Sequence, residues 1–146
     1  MPYVAAAFGM YFVGRRSDRL GERRYHSAVP ALLAAIFLAS SIFLDGNFYA
    51  VLIVLTVATA TMWMAYTVFW AIPPEYIKGP AAAGGIALIN TIGLSGGFWG
   101  PAVIGWTKTA TGNTHLGLLV MACMLVIASG LLITNRLPLH SNKSST

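Results

Sequence analysis

The chain has 146 residues, of which 57% are hydrophobic and only 9% are charged. Soluble domains average about 45–50% apolar and about 25% charged residues, so this composition excludes an ordinary soluble protein and predicts a membrane protein. The net charge of +5 is confined to a few loops and does not indicate nucleic-acid binding, and the sequence predicts neither a cofactor nor a metal site.

The chain opens on an apolar stretch, residues 1–13. It is too short to cross a bilayer, because a span needs about 20 mostly apolar residues. It also lacks the positive start and the small-residue cleavage site of a signal peptide. We interpret it as a truncated transmembrane helix and expect the chain to be a fragment of a larger protein; the alternative is a misplaced start.

A short, strongly charged segment follows at residues 14–27. We predict a tight cytoplasmic hairpin, with a glycine at a helix end, an acid four residues later, a second glycine for the turn and then paired arginines. A carboxylate near a helix N-terminus gains from the helix dipole, and arginines bind carboxylates or the C-terminal carbonyls of a neighbouring helix. Such contacts would hold one conformation of a moving bundle, whereas the simpler alternative is a basic loop that only sets topology. The residues of this motif are Gly14, Asp18, Arg19, Gly21, Arg23 and Arg24.

Four longer apolar stretches each predict a transmembrane helix, because lipid offers no hydrogen-bond partner to an unpaired backbone. They cover residues 28–44, 48–72, 81–106 and 116–134. Segments 14–27, 73–80 and the tail 135–146 then share one side of the membrane, which carries every Lys and Arg except Lys108. By the positive-inside rule that side is cytoplasmic, and we predict a multi-pass protein of the cell (inner) membrane.

The second span carries one polar and aromatic face on an otherwise apolar helix, formed by Thr56, Thr59, Trp63, Thr67 and Trp70. We interpret Thr56 and Thr59 as hydroxyls bonded back to their own helix. Thr67 and Trp70 are interpreted as facing a cavity or another helix. The span ends at Pro73-Pro74, after which Glu75 and Lys78 are interpreted as a solvated pair.

The third span is rich in small residues whose spacing lets helices approach closely in lipid, and it contains a proline that we expect to kink it. These packing and kink residues are Gly93, Gly97, Gly100 and Pro101. Asn90 lies on the same face as Gly93 and Gly97, and an amide at this depth needs a partner, so we predict that it faces the cavity. A flexible, closely packed helix would suit a gate that moves, and static tight packing explains the glycines equally well.

Two of these patterns resemble a known family. The charged segment G-x-x-x-D-R-x-G-x-R-R resembles the loop signature of the major facilitator superfamily, found between helices two and three and again between eight and nine. Residues 73–101 resemble helices ten and eleven of its anion:cation symporter family. The resemblance covers nearly the whole chain and implies the C-terminal part of a twelve-helix bundle, from a partial helix eight to helix twelve.

The resemblance also implies a function, namely transport of a small organic anion, a sugar acid or carboxylate, with a proton. Thr67, Trp70 and Asn90 would form the C-terminal half of the substrate site. In the family the proton-linked acids and the anion-binding arginine belong to the N-terminal helix bundle, and the four spans predicted here hold no Asp, Glu, His, Lys or Arg, their single thiol being Cys123. The chain alone would therefore lack coupling residues and would not transport. Thr91 and Leu94 depart from the family's usual residues after the mid-span Asn, so the substrate stays open.

Two other classes remain as alternatives. Ser95 and His115 have local sequences resembling rhomboid intramembrane serine proteases, but Ser95 would lie about 16 Å inside its span and His115 at the mouth of the next. A self-standing small membrane transporter or interaction subunit is the other alternative, although small proton-driven exporters need a membrane-embedded acid. We expect a protein that is not an enzyme.

Overall fold

The structure, a computed structural model, describes residues 2–44 and 46–134, and every regular element in those ranges is helical. The helices are α1 (Pro2–Leu20), α2 (Arg23–Ser40) with a 3-10 turn (Ser41–Leu44), α3 (Phe48–Phe69), the short α4 (Pro73–Tyr76), α5 (Ala82–Thr111) and α6 (His115–Thr134). Four helical segments are long and apolar enough to cross a membrane: Arg23–Leu44, Phe48–Tyr76, Ala82–Thr111 and His115–Thr134. The prediction of an all-α, multi-pass membrane protein is confirmed.

The predicted hairpin at residues 14–27 is mostly helical in the structure. α1 continues through Gly14 to Leu20 and α2 begins at Arg23. The interpretation of Gly14 as a helix end was therefore wrong, because charged side chains outside the hydrocarbon do not interrupt a helix. The turn occurs at Gly21, whose φ of +64° is accessible to glycine at no steric penalty. The predicted tail, residues 135–146, lies outside the described residues, as does Asp45.

α2 is the central helix, packed against both α3 and α6. Its buried face carries small residues at helical spacing, including Ala28, Ala31 and Ala35, which allow close helix approach. Two buried hydroxyls join neighbouring helices: Ser27 Oγ donates to the Ala65 carbonyl at 3.0 Å, and Ser129 Oγ donates to the Ala28 carbonyl at 2.8 Å. Small residues and interhelical hydrogen bonds thus hold α2, α3 and α6 together.

The two outer helices differ in how firmly they are held. α1 packs on α3, where the end of the Met64 side chain fills the space over Gly9. α5 packs mainly on α6, where a Cβ at Gly117 would lie 3.0 Å from Ile104 Cα and 2.8 Å from Thr107 Oγ1. Other helices cover little of the rest of α5, and no residue in its most apolar stretch is buried.

Candidate functional site

The C-terminal half of α3 carries a row of aromatic rings. Trp63 and Tyr66 meet edge to face with centroids 5.5 Å apart, and Tyr66 meets Trp70 in the same way at 6.0 Å. The indole Nε1 of Trp70 is shielded from solvent and has no hydrogen-bond partner among the residues that the structure describes. A shielded donor without a partner costs about 1–3 kcal/mol, and Trp70 Nε1 is such a donor.

Thr67 lies one helical turn from Trp63 on one side and from Trp70 on the other, and its hydroxyl hydrogen is already engaged in a hydrogen bond. Thr67 Oγ1 donates to the Trp63 carbonyl at 2.9 Å. Thr56 and Thr59 make the same bond to their own helix, as predicted for these two residues. A hydroxyl has one hydrogen to donate, so in this arrangement Thr67 can offer a ligand only its acceptor lone pairs.

Asn90 is exposed on α5, and its side chain makes no hydrogen bond with a described residue. No hydrogen bond joins Thr67, Trp70 and Asn90 to one another within residues 2–44 and 46–134, so their assembly into one site stays a prediction. The glycine face beside Asn90 is equally uncovered. A Cβ added at Gly93 or Gly97 would meet nothing within 4 Å.

The remaining part of that face also shows little contact. A Cβ at Gly100 would reach only Met121 Sδ, at 4.0 Å. α5 runs without interruption through Pro101. The predicted roles of these residues in close helix packing and in kinking the helix therefore remain predictions.

Arg23 links three segments at the end of the bundle where α1 turns into α2. Its guanidinium lies 2.7 Å from Glu75 Oε1 and 3.5 Å from Asp18 Oδ1. Arg23 also donates to the carbonyl of Ala71 at 3.2 Å, directly after Trp70. Glu75 is therefore an ion-pair partner of Arg23, and the interpretation of Glu75 and Lys78 as a solvated pair was wrong.

Arg24 makes comparable contacts with the C-terminal end of α6. It donates to the carbonyl of Leu132 at 3.3 Å and to that of Ile133. These carbonyls are in the last turn of α6, where the helix leaves them without a backbone partner and where positive charge is favoured. The two adjacent arginines thus tie the start of α2 to the ends of α3 and α6, which is the type of contact predicted for this motif.

Known transporters are similar to this chain. It is 40% identical over 131 residues to a protein of Agrobacterium vitis named as a tartrate transporter, with 88% of this chain and 30% of that protein covered. It is 34% identical over 142 residues to the metabolite transport protein NicT of Pseudomonas putida, covering 93% and 32%. It is 35% identical over 136 residues to the inner membrane transport protein RhmT of Escherichia coli, covering 93% and 31%.

The chain therefore spans about a third of the length of these curated relatives. No family model matches the chain, and no solved structure matches it. The relatives are named as transporters and not as enzymes, which supports the expectation that this protein is not an enzyme. Ser95, the residue of the protease alternative, donates its hydroxyl to the Ile92 carbonyl at 2.6 Å.

Proposed function

Because the chain belongs to the major facilitator superfamily of membrane transporters, we propose that it forms the C-terminal part of a transporter for a small organic anion. The substrate class is a sugar acid or another carboxylate, carried together with a proton. The protein would lie in the cell inner membrane, with the α1–α2 turn and the C-terminus in the cytoplasm. An N-terminal helix bundle would complete it.

The observation that carries this proposal is the pair of unused donors on α3 and α5. Trp70 Nε1 has no partner among the described residues, and Asn90 is exposed without a hydrogen bond to any of them. Carboxylates are acceptors, so an indole N–H and an amide NH₂ are suitable neutral ligands for them. Thr67, whose hydrogen is engaged by the Trp63 carbonyl, would accept from a substrate hydroxyl.

The uncovered face of α5 supports the existence of a second bundle. Gly93 and Gly97 leave a smooth surface on which a neighbouring helix can approach closely, and no described helix occupies it. We assign this surface, with Gly100 and Pro101, to contacts with the missing bundle. The counter-charge for the anion and the proton-binding group would come from that bundle, as the family resemblance implies.

The arginine motif would couple this site to the membrane surface. Arg23 bonds to the carbonyl of Ala71, the residue after Trp70, and to Glu75 beyond it. A shift of the α1–α2 turn that breaks these contacts would free the end of α3 that carries Trp70. Asp18, Arg19 and the Gly21 turn would set the position of Arg23 in each conformation.

Uptake by a chimera tests the proposal. This chain replaces the aligned part of the Agrobacterium vitis relative, and cells expressing the chimera are given labelled tartrate, galactonate, a hexuronate or phthalate. We expect saturable uptake of at least one of these anions, lost when a protonophore removes the proton gradient. A chimera that reaches the membrane in normal amount but takes up none of them would contradict the proposal.

Matched substitutions in the chimera then test the site. Trp70→Phe keeps the ring and removes the N–H, and Asn90→Ala removes the amide; each should lower kcat/KM about tenfold or more, because a hydrogen bond to a charged group contributes about 1.5–3 kcal/mol. Trp106→Phe, at a ring that is 72% exposed, is the control. Thr67→Val should lower it less, and Thr56→Val should leave it unchanged. Equal activity of Trp70→Phe and Trp106→Phe would remove Trp70 from the site.

A further inference from the structure

A groove of about 350 Å³ opens between α1 and α2, with α3 as its floor. Val13 of α1 and Val29 and Leu33 of α2 form its walls, and Met64 and Thr61 of α3 lie below. The hydrogen of the Thr61 hydroxyl is shared between the carbonyls of Val57 and Ala58, at 2.9 and 3.0 Å. The interior therefore offers a ligand an apolar surface and no free hydrogen-bond donor.

One end of the groove is polar and carries positive charge. Arg16, Tyr25 and His26 line it near the α1–α2 turn. Arg16 is exposed and makes no ion pair or hydrogen bond with any residue in the described ranges, in contrast to Arg15, which donates to the Tyr11 hydroxyl at 2.6 Å. The His26 ring donates Nδ1–H to the Glu22 carbonyl at 2.7 Å, which in the neutral ring leaves Nε2 as an acceptor. The rim thus presents the Arg16 guanidinium and the Tyr25 hydroxyl as donors above an apolar channel.

The dimensions of the groove decide what it can hold. Seven residues separate His26 at the rim from Leu33, which is about 10 Å along a helix at about 1.5 Å per residue. One leaflet contributes about 15 Å of hydrocarbon, whereas a transmembrane helix needs about 30 Å. The groove is too short for a helix of a partner or of a second copy, but it matches the upper part of one lipid tail, with the rim at headgroup depth.

We infer that this groove binds an anionic phospholipid of the leaflet that faces the α1–α2 turn. The lipid phosphate meets the Arg16 guanidinium, with the Tyr25 hydroxyl as a further donor, and one acyl chain lies between Val29 and Met64. Basic pockets between transmembrane helices are suited to such headgroups. α1 and α2 touch each other little and both rest on α3, so the lipid fills the space that separates them. The inference depends on the membrane spans and not on the transported solute.

Native mass spectrometry of the full chain, released from detergent micelles, tests the inference. The probes are phosphatidylglycerol and phosphatidylcholine with identical acyl chains. We expect phosphatidylglycerol to bind more tightly, and Arg16→Gln to weaken that binding about fivefold while leaving phosphatidylcholine unchanged. Arg15→Gln removes the same charge from the neighbouring residue and should have a smaller effect. Equal binding of the two lipids, or equal losses in the two variants, would overturn the inference.

A second pair of variants tests the channel below the rim. Val29→Phe fills the groove and should weaken retention of both lipids, because the acyl chain loses its place. Val126→Phe, on α6 at a side chain of similar exposure, 47% against 50% for Val29, should have no effect. If Val29→Phe does not elute as a folded monomer, the Arg16 and Arg15 pair decides the question, since neither change removes an interhelical contact. Full lipid retention by folded Val29→Phe would show that the groove is not the site.

Discussion

The contacts of Arg23 lead to a sharp prediction about stability. Arg23→Ala removes two ion pairs and a hydrogen bond that join the α1–α2 turn to the end of α3 and to α4. Glu75→Gln keeps the shape of its partner and removes only the charge. We expect Arg23→Ala to lower the free energy of unfolding clearly more than Glu75→Gln does, because the arginine serves three partners and the glutamate one.

The magnitudes follow from exposure and distance. The side chain of Asp18 is 68% exposed and lies 3.5 Å from Arg23, so this pair contributes little. Glu75 is 46% exposed but only 2.7 Å away, which places its pair near the upper end of the usual range, about 0.2–1 kcal/mol. With the bond to the Ala71 carbonyl, we expect about 2 kcal/mol for Arg23→Ala and about 0.5 kcal/mol for Glu75→Gln.

A double-mutant cycle measures the coupling directly. The full chain in mild detergent is unfolded by titration with sodium dodecyl sulfate and followed by tryptophan fluorescence. Arg23→Ala and Glu75→Gln should show a coupling energy of about 0.5 kcal/mol that shrinks in 1 M salt, where the Debye length is about 3 Å. Arg24→Ala with Glu75→Gln is the control, since Arg24 contacts α6. A coupling near zero in the first cycle, or an equal one in the control, would refute the reasoning.

Two further predictions concern contacts between the other helices. Gly117→Ala should lower the free energy of unfolding by about 1–3 kcal/mol, since its Cβ would press on the backbone of α5. Gly130→Ala, on the same helix, is the control. Its Cβ would meet nothing within 4 Å, so it should not destabilise the chain in the same titration. Ser129→Ala should lower the free energy of unfolding by about 0.6 kcal/mol, the usual size of an interhelical hydrogen bond in membranes, and should speed hydrogen exchange in α6; unchanged exchange would contradict the importance of its bond to Ala28.

The spans were predictable because long apolar stretches in lipid have few structural solutions. Their ends were not, because hydropathy marks where a helix leaves hydrocarbon and says nothing of where its hydrogen bonding stops. α1 illustrates the difference: its apolar part ends near Val13, but the helix continues to Leu20. Gly21, with its positive φ, was the better signal for the turn.

The candidate site, too, could be predicted only in part from the sequence. The residue types on α3 and α5 pointed to polar groups that need partners, and the side chains of both Trp70 and Asn90 make no hydrogen bond among the described residues. The role of Glu75 was missed because its partner, Arg23, is 52 positions earlier and no local spacing joins them. The only sequence feature that indicated this contact was the position of Glu75 directly after Pro73-Pro74, on the same predicted side of the membrane as the arginine motif.

The uncovered state of α5 has a consequence for biogenesis. Of the four candidate spans it has the lowest mean hydropathy, 1.3, and none of its most apolar window is buried. Glycines also weaken a helix that no neighbour supports. α5 should therefore be the last span to settle after insertion and the first that a membrane protease engages when assembly fails. The cell would detect failed assembly at this helix, so the half-life of the chain would report on how completely α5 has been covered by its neighbours.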